Sequence, residues 1–524
     1  MKAVGDAQDR TVAGSDVFHD FQFTDRISES GITFVHRIVD DAGKTYKAAH
    51  YDHGDGRPDI YFVHQVGGNQ LWRNLGGGKF DNITDTAGVA VPGRIGVAAS
   101  FADIDNDGDP DLYVTTVRDG NILFENDGKG RFRDITTAAG LEYVGHSSSA
   151  LFFDYDRDGK LDLFLVNVGR YTTETIAGDG YEYYVAFNDA FFGHLKPERA
   201  ERSILYRNLG GNRFADVSKQ MGLMDVSWSG DATAIDVNDD GWLYLYLPNM
   251  LGDDEYYENV GGTGFVRKSR EVFPRTSWGS MGIKVFDVDN DGRLDLFITD
   301  MHSDMSAKVP PDRERVKSTM EWPVSFRGTG ETSIWGNSLF LKEGPGKFRE
   351  ASDALGVEPR SGGISTPWFE LDALGKDRNH PGALGATGRV VFRGARGSRS
   401  SVIVDIDSDG DLDIVTTEFN AAPMVLISNL TDRAQVRYVE IALAGTMSNR
   451  DGLGSIVRVT AGGSTYTKVM NGKSGYLSQS LAPLYFGLGK AERIDNIEVS
   501  WPSGKTQTVR PPIAINSRID VREP

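Results

Sequence analysis

Four nine-residue stretches of this chain carry aspartate at positions 1, 3, 5 and 9 and glycine at position 6. They are Asp103-Ile-Asp105-Asn-Asp107-Gly-Asp109-Pro-Asp111, Asp154-Tyr-Asp156-Arg-Asp158-Gly-Lys160-Leu-Asp162, Asp287-Val-Asp289-Asn-Asp291-Gly-Arg293-Leu-Asp295 and Asp405-Ile-Asp407-Ser-Asp409-Gly-Asp411-Leu-Asp413. Alternate side chains on a tight loop converge on one point, and a hard cation such as Ca²⁺ takes six to eight oxygens at about 2.3–2.6 Å. Positions 1, 3 and 5 give carboxylates, the carbonyl of position 7 (Asp109, Lys160, Arg293, Asp411) gives a further oxygen, and position 9 closes the cage. Glycine at position 6 allows a sharp turn where a Cβ would clash. An EF-hand would close with Glu at position 12 between helices. Here the flanks are apolar and β-branched, Val97-Ala-Ala-Ser-Phe-Ala102 before and Leu112-Tyr-Val-Thr-Thr-Val117 after, so the loop joins two strands.

Two further stretches are imperfect. Asp236-Val-Asn238-Asp-Asp240-Gly-Trp242-Leu-Tyr244 replaces the closing carboxylate with tyrosine, which predicts weak metal binding or none. Tyr51–Asp59 is out of register by a residue and keeps Asp52, Asp55 and Asp59. One such stretch would read equally well as a solvated acidic turn. Four at matching places in a repeat carry the calcium reading.

Each loop is followed by a second half-repeat, as in Asn69-Gln-Leu-Trp-Arg-Asn-Leu-Gly-Gly-Gly-Lys-Phe80 and Asn121-Ile-Leu-Phe-Glu-Asn-Asp-Gly-Lys-Gly-Arg-Phe132, which reads as strand, Gly-rich hairpin and strand. The motif glycines at 56, 108, 159, 241, 292 and 410 are spaced by 52, 51, 82, 51 and 118 residues, so one unit is about 51 residues and four short strands. Such units repeated six times predict an all-β β-propeller. The count leaves a seventh, degenerate unit open within 358–400. Phe21–Ile32 mimics the outermost strand and exit seen in Phe80–Val89, so it is expected to complete the last blade and close the ring.

With these residues in view, the chain resembles the VCBS/FG-GAP repeat family over residues 21–430, and its loops are similar to the calcium loops of the integrin α propeller. Arg437–Gly445, Ser448-Asn-Arg-Asp-Gly-Leu-Gly454, Gly475-Tyr-Leu-Ser-Gln479, Tyr485-Phe-Gly-Leu-Gly489 and Val499-Ser-Trp-Pro-Ser-Gly504 together resemble the ASPIC/UnbV domain. That pairing is the architecture of the cartilage acidic protein family and its bacterial relatives. Asp451 and Leu453 depart from the pattern, where alanine and isoleucine would be expected. The resemblance implies a six- to seven-bladed, integrin-α-like propeller with calcium loops and a small C-terminal β-sandwich-like domain. The organisation expected is a tail over 1–20, the propeller over 21–432 and the ASPIC/UnbV domain over 433–524.

A net charge of −19 argues against nucleic acid and anionic membrane surfaces as partners. Much of that charge is ligand: about six Ca²⁺ would bring it to roughly −7. With no cysteine, disulfides and thiolate metal sites are excluded. No apolar run is long enough for a transmembrane helix. The first residues lack a signal-peptide core, so the chain is expected to be a processed secreted or periplasmic protein, or else cytoplasmic. Millimolar calcium outside the cell suits cages of this style.

What breaks a repeat is where specificity is placed. Insertions at about 169–202 and 300–335 fall between second and third strands, and one at 360–398 falls between blades. Strand order puts all three on the rim opposite the calcium loops. The first holds Tyr171, Tyr181, Tyr183, Tyr184, Phe187, Phe191, Phe192 and His194; the second His302, Asp304, Met305 and Trp322; the third Trp368, Glu370, Asp372 and His380. Aromatic density of this kind means a self-packing lid or a binding surface. His50, His53 and His64 cluster in the first blade, and Asn449, Arg450 and Gln479 stand at turns of the tail. Each set reads either as a ligand site or as hydrogen-bonded scaffolding. No Gly-x-Ser-x-Gly elbow, P-loop, His-Glu-x-x-His or dinucleotide fingerprint occurs. The leading expectation is therefore a calcium-binding recognition or adhesion protein that takes a protein or glycan partner through the inserted face. The alternatives are an enzyme, a cyclase, lyase or hydrolase, acting on a small-molecule substrate at the channel mouth, and a structural subunit of an extracellular assembly.

Overall fold

Short β-branched and aromatic runs punctuated by Asp- and Gly-rich turns favour antiparallel pairing of chain neighbours. The computed structural model describes residues 10–15, 17–27, 29, 47–52, 57–65, 67–178, 182–187, 196–277, 279–301, 333–334, 336–352, 354–357, 367–372, 374–375, 378, 387–393, 397–418, 422–472, 476–477, 479 and 483–524. Among these, six four-stranded antiparallel sheets form the blades of a β-propeller. Blade 1 runs Lys47–Asp52, Pro58–Val63, Gln70–Gly76 and Lys79–Asn82, and blade 2 Ile95–Ala102, Asp111–Val117, Ile122–Asn126 and Phe132–Asp134. Blade 3 is built from Ser147–Phe153, Asp162–Asn167, Ile204–Asn208 and Phe214–Asp216; blade 4 from Thr233–Ile235, Tyr244–Leu247, Glu255–Asn259 and Phe265–Arg267. Blade 5 uses Ser280–Phe286, Asp295–Asp300, Ser338–Gly344 and Lys347–Glu350. In blade 6, Ser398–Val404, Asp413–Glu418 and Met424–Ile427 are joined by Thr24–Asp25 from the start of the chain.

That last pairing closes the ring as the sequence leads one to expect. Phe23 N donates to Leu355 O at 2.8 Å, just as Phe265 N donates to Met221 O at 2.7 Å inside the ring. The exit glycines repeat the same joint: a Cβ on Gly222 or Gly356, both at positive φ, would lie 2.8 Å from Phe265 O or Phe23 O. Only glycine fits there.

The apolar cores lie between blades. Leu112, Val114 and Phe124 of blade 2 pack on Tyr61, Val63 and Leu71 of blade 1, and Leu245, Leu247 and Tyr257 of blade 4 on Leu151, Phe153 and Phe164 of blade 3. Between blades 5 and 6, Phe297 and Leu339 meet Ile414 and Leu426 together with Phe21 and Phe23. A meander of this kind puts the aspartate loops on one rim and the second-to-third-strand connections on the other. The described parts of the first insertion form a hairpin, Thr172–Gly178 with Glu182–Ala186. Those of 358–400 form a two-stranded hairpin, Pro367–Asp372 with Arg389–Arg393.

Beyond residue 437 a second unit packs two sheets face to face. Tyr438–Ala444 pairs antiparallel with Leu484–Gly487 and parallel with Ser517–Arg522, while Ile456–Ala461 is flanked by Ser464–Val469 and Ile494–Ser500, the latter edged by Thr506–Val509. Val439, Ile441, Val457, Val459, Ile497 and Trp501 fill its core.

Phe23 is buried at the closing joint and Phe18 is exposed. Phe23→Ala should therefore cost about 3–5 kcal/mol, seen as an earlier denaturant midpoint, whereas Phe18→Ala should stay within about 0.5 kcal/mol.

Candidate metal centres on one rim

The four intact loops share one hydrogen-bonded frame. The position 1 carboxylate accepts from the backbone N–H groups of positions 5 and 6: Asp103 from Asp107 and Gly108 at 3.1 and 3.0 Å, and Asp287 from Asp291 and Gly292 at 3.0 and 2.8 Å. Position 9 holds the loop shut from the other side, accepting from position 2 and from the end of the third strand, as Asp111 does from Ile104 and Asn126 at 3.2 and 2.8 Å. Asp162, Asp295 and Asp413 repeat this arrangement. The closing carboxylate is thus also the clasp between strands. Glycine at position 6 sits at positive φ, and so does position 4: Asn106, Arg157, Asn290 and Ser408 at φ 60°, 58°, 60° and 62°. That second left-handed residue was not foreseen from the sequence; the Asn, Ser and Arg at position 4 are weak signals of it.

This frame draws three carboxylates together in each loop, with one oxygen of each within 4.8 Å of the others: Asp103, Asp105 and Asp111; Asp154, Asp156 and Asp162; Asp287, Asp289 and Asp291; Asp405, Asp407 and Asp413. Asp107, Asp158 and Asp409 fall outside these trios and accept from the N–H of Asp109, Lys160 and Asp411. The donor set is all oxygen, as a hard divalent cation requires. Buried Asp156 Oδ1 and Asp289 Oδ2 find no hydrogen-bond partner among the described residues, which is what an inward-facing ligand atom looks like without its ion.

Burial holds these carboxyls high. Asp103 is pushed up to about 7 and Asp111 to about 8, with hydrogen bonds from Gly108 and Asn126 pulling the other way. Asp287 reaches about 7 and Asp154 about 6, and burial sets Asp162, Asp289 and Asp295 well above the usual carboxylate range. Neighbouring carboxylates add to the rise. A divalent cation would oppose both by favouring the charged form.

Residues 53–114, 103–165 and 236–298 match an FG-GAP-like repeat, and residues 445–524 match the ASPIC and UnbV domain. The chain belongs to the family that joins these two modules. It is 24% identical over 331 residues to cartilage acidic protein 1 of Xenopus tropicalis, covering 62% of this chain and 41% of that one. To cartilage acidic protein 1 of Homo sapiens it is 25% identical over 310 residues, 58% of this chain and 37% of that one. The chain therefore spans about two fifths of the length of the curated relatives it matches. Among solved structures, the V. cholerae biofilm matrix protein Bap1 aligns at 13% identity with a TM-score of 0.28, covering 94% of this chain and 63% of that chain, a likeness too low to bear on function.

Within the FG-GAP-like repeats, blade 4 departs from its neighbours. Tyr244 donates its hydroxyl to Asp240 Oδ2 at 2.6 Å, and Asn238 Nδ2 donates to the same oxygen at 3.0 Å. At the end of the third strand, Asn208 and Asn259 send an amide to the position 2 carbonyl of the preceding loop, Ile104 O and Tyr155 O, both at 2.8 Å. Blade 5 has Lys342 at that place, 1% exposed, and its Nζ reaches Asp239 Oδ1 in the blade 4 loop at 2.7 Å. A phenol thus stands at the closing position of the blade 4 loop, and an ammonium lies against its fourth residue. In blade 1, Asp59 is buried and Oδ1 accepts from Asn74 N at 2.6 Å, the clasp role again. The side chains of Asp52 and Asp55 lie outside the described residues.

The ASPIC and UnbV domain sits on this same rim. Asn449 ties its own loop through Leu453 N and O at 2.7 Å each, Arg450 N donates to Asp103 Oδ2 at 3.2 Å, and Gln479 is bonded to both backbone groups of Phe101. The Asn449 and Gln479 side chains thus serve as scaffolding, and Arg450 does so through its main chain. On the opposite rim, the described aromatics of the first insertion pack inward: Tyr171 against His146 with ring centroids 4.8 Å apart, Tyr184 under Arg118, and Phe187 under Arg199. His146, which the sequence did not single out, is buried, bridging Glu201 Oε1 and Thr172 Oγ1 at 2.7 Å each, and so fixes the root of the insertion. Burial holds the His64 imidazole below its ordinary range, and Asn69 Oδ1 accepts from the His64 backbone N–H at 2.9 Å. The side chains of His50, His53, Tyr181, Tyr183, Phe191, Phe192, His194, His302, Asp304, Met305, Trp322, Trp368, Glu370 and His380 lie outside the described residues.

Tyr244→Asp combined with Lys342→Asn should restore a cage in blade 4 and raise bound calcium by one ion per chain, counted by metal analysis after dialysis. An unchanged count would show that these two residues do not set occupancy. The raised carboxyls also fix a sign. Each binds its proton more tightly folded than unfolded, so in chelator their contribution is present below the unfolded value and lost as pH rises through the folded ones. Tm in EDTA should fall between about pH 4.5 and 8, and the fall should shrink or reverse in calcium.

Proposed function

We propose that this is a calcium-dependent recognition protein, in which four metal cages stiffen one rim of a propeller and the opposite, inserted rim receives a protein partner. The observation that carries the reading is the placement of the ASPIC and UnbV domain on the metal rim, which leaves the insertion rim as the open end. Connections on that rim expose apolar side chains to water: Val144 at 71%, Val226 at 55% and Ile176 at 53%. Aliphatic exposure next to aromatics that are already packed against cations fits a protein surface better than a sugar, which stacks on free aromatic faces. Millimolar calcium outside the cytoplasm suits the cages, so a secreted or periplasmic location goes with this reading.

Calcium should raise Tm and load four or more ions per chain, four of them at the carboxylate trios of the described residues, with each site contributing about 2.7 kcal/mol when free calcium is 100 times its Kd. Asp105→Ala, Asp156→Ala, Asp289→Ala and Asp407→Ala should each lose one ion and lower Tm in calcium while changing it little in EDTA. For the partner, the whole chain in calcium would be screened against secreted proteins and on a glycan array. Binding to a protein that Val144→Asp plus Val226→Asp abolishes at unchanged Tm supports the reading. Binding that ignores both substitutions, or binding to glycans alone, overturns it.

A further inference from the structure

The central channel of the propeller is not an open conduit: a segment of the C-terminal unit lies in it. Asn471 Nδ2 donates to Ala234 O in the inner strand of blade 4 at 2.9 Å. Gln479 clasps Phe101 in the inner strand of blade 2, its Oε1 accepting from Phe101 N at 2.6 Å and its Nε2 donating to Phe101 O at 2.7 Å. Between these two, Leu477 packs on Val97, Ala98 and Val117, while Tyr476 packs with Trp228, Met281 and Met301 towards the insertion rim. Inner strands of blades 2, 4 and 5 all touch it. Gly282 of blade 5 makes the seat, because a Cβ there would come 2.9 Å from Tyr476 Cβ and 3.0 Å from Tyr476 N. The crevice left beside Asn471 and Gln479 measures about 10 Å³, at the lower limit for a single water.

The unit that carries this segment is held down by the metal loops themselves. Asp103 Oδ2 accepts from Arg450 N at 3.2 Å and Asp287 Oδ2 from Gly487 N at 3.0 Å, so position 1 of two cages serves the loop and the docked unit at once. Asn290, the left-handed position 4 residue of blade 5, accepts from Arg437 N through Oδ1 at 3.0 Å and donates from Nδ2 to the Tyr485 hydroxyl at 3.0 Å. That hydroxyl in turn donates to Gly410 O in the blade 6 loop at 3.1 Å, so one side chain spans two cages. In blade 3, Gly159 lies directly under Pro502. All four loops with an intact cage contact the docked unit. Their left-handed turns set the contact geometry, and the repulsion among their carboxylates is what an ion would relieve.

We infer that the stretch anchored through Asn471, Tyr476, Leu477 and Gln479 is an intrachain plug of the propeller channel, seated only while the metal loops hold the shape that their ions impose. Chelation then frees the C-terminal unit and withdraws Tyr476 and Leu477, opening the channel from the metal rim and uncovering an apolar floor of Trp228, Met281 and Met301. This rests on the calcium reading above. It adds a device: the ion concentration decides whether the channel is closed.

Hydrogen exchange of the full chain tests it, comparing peptides that cover 471–479 with the second strands of blades 2 and 3, and with bound metal counted on the same samples. In calcium the plug peptides should exchange slowly; in EDTA they should exchange at least tenfold faster while the blade strands keep their protection. Gly282→Val should give the fast plug exchange in calcium with the ion count unchanged. If metal leaves and the plug stays protected, or if plug and blades open together, the coupling is wrong although the cages bind calcium. If Gly282→Val leaves the plug protected, the seat is misassigned. If no metal binds in the first place, the calcium reading itself fails.

Discussion

Like charges gathered out of water with little counter-charge, Arg207 on Asp156 and Arg293 on Asp291, are the constraint from which the rest of this structure follows. Four groups of three carboxylate oxygens each lie within 4.8 Å, on turns that bury at least one member of each group. Such clusters are unfavourable alone, and burial raises their proton affinity because the charged form is the one penalised. The backbone offsets part of the cost: position 1 takes two N–H groups and position 9 takes two more. What the backbone leaves over is an all-oxygen cage with unpartnered atoms.

The same loops are structural joints. Position 9 links the start of the second strand to the end of the third within a blade, and the third-strand Asn208 and Asn259 reach the loop of the preceding blade. Charge relief on the rim is thereby coupled to strand pairing, to blade packing and to the unit docked above. Blade 4 shows the same problem solved differently. There the tyrosine hydroxyl donates to Asp240 in place of a closing carboxylate, and the Lys342 ammonium pairs with Asp239.

The two rims consequently differ in kind. One is polar, lined by carboxylate clusters and covered by a second unit, from which Tyr476 and Leu477 reach between the inner strands. The other carries the longer connections, pinned at their root by the buried His146 with Glu201 and Thr172. A recognition surface on the second rim can vary without touching the joints, because an inserted hairpin adds no strand to a blade. This separation explains how a repeat built for stiffness can carry specificity.

The sequence alone determined the blade pattern, the four cages and the closing N-terminal strand, because those depend on local spacing: alternation along strands, glycine at position 6, and the Phe and Gly that mark an outer strand and its exit. The Asn, Arg and Gln at tail turns were legible as scaffolding or ligand, and spacing could not choose between them. Their partners, such as Phe101 for Gln479 and Asp103 for Arg450, lie more than 300 residues away in the chain. A separation of 103 residues from Asp239 likewise hid the role of Lys342, which reads as an ordinary strand residue until blade 5 is set against blade 4. Which rim the C-terminal unit covers, and that its loop fills the channel, were decided only by tertiary packing. Local pattern specifies a turn or a strand; the meeting of two surfaces depends on shapes and charges that exist only once the ring has closed.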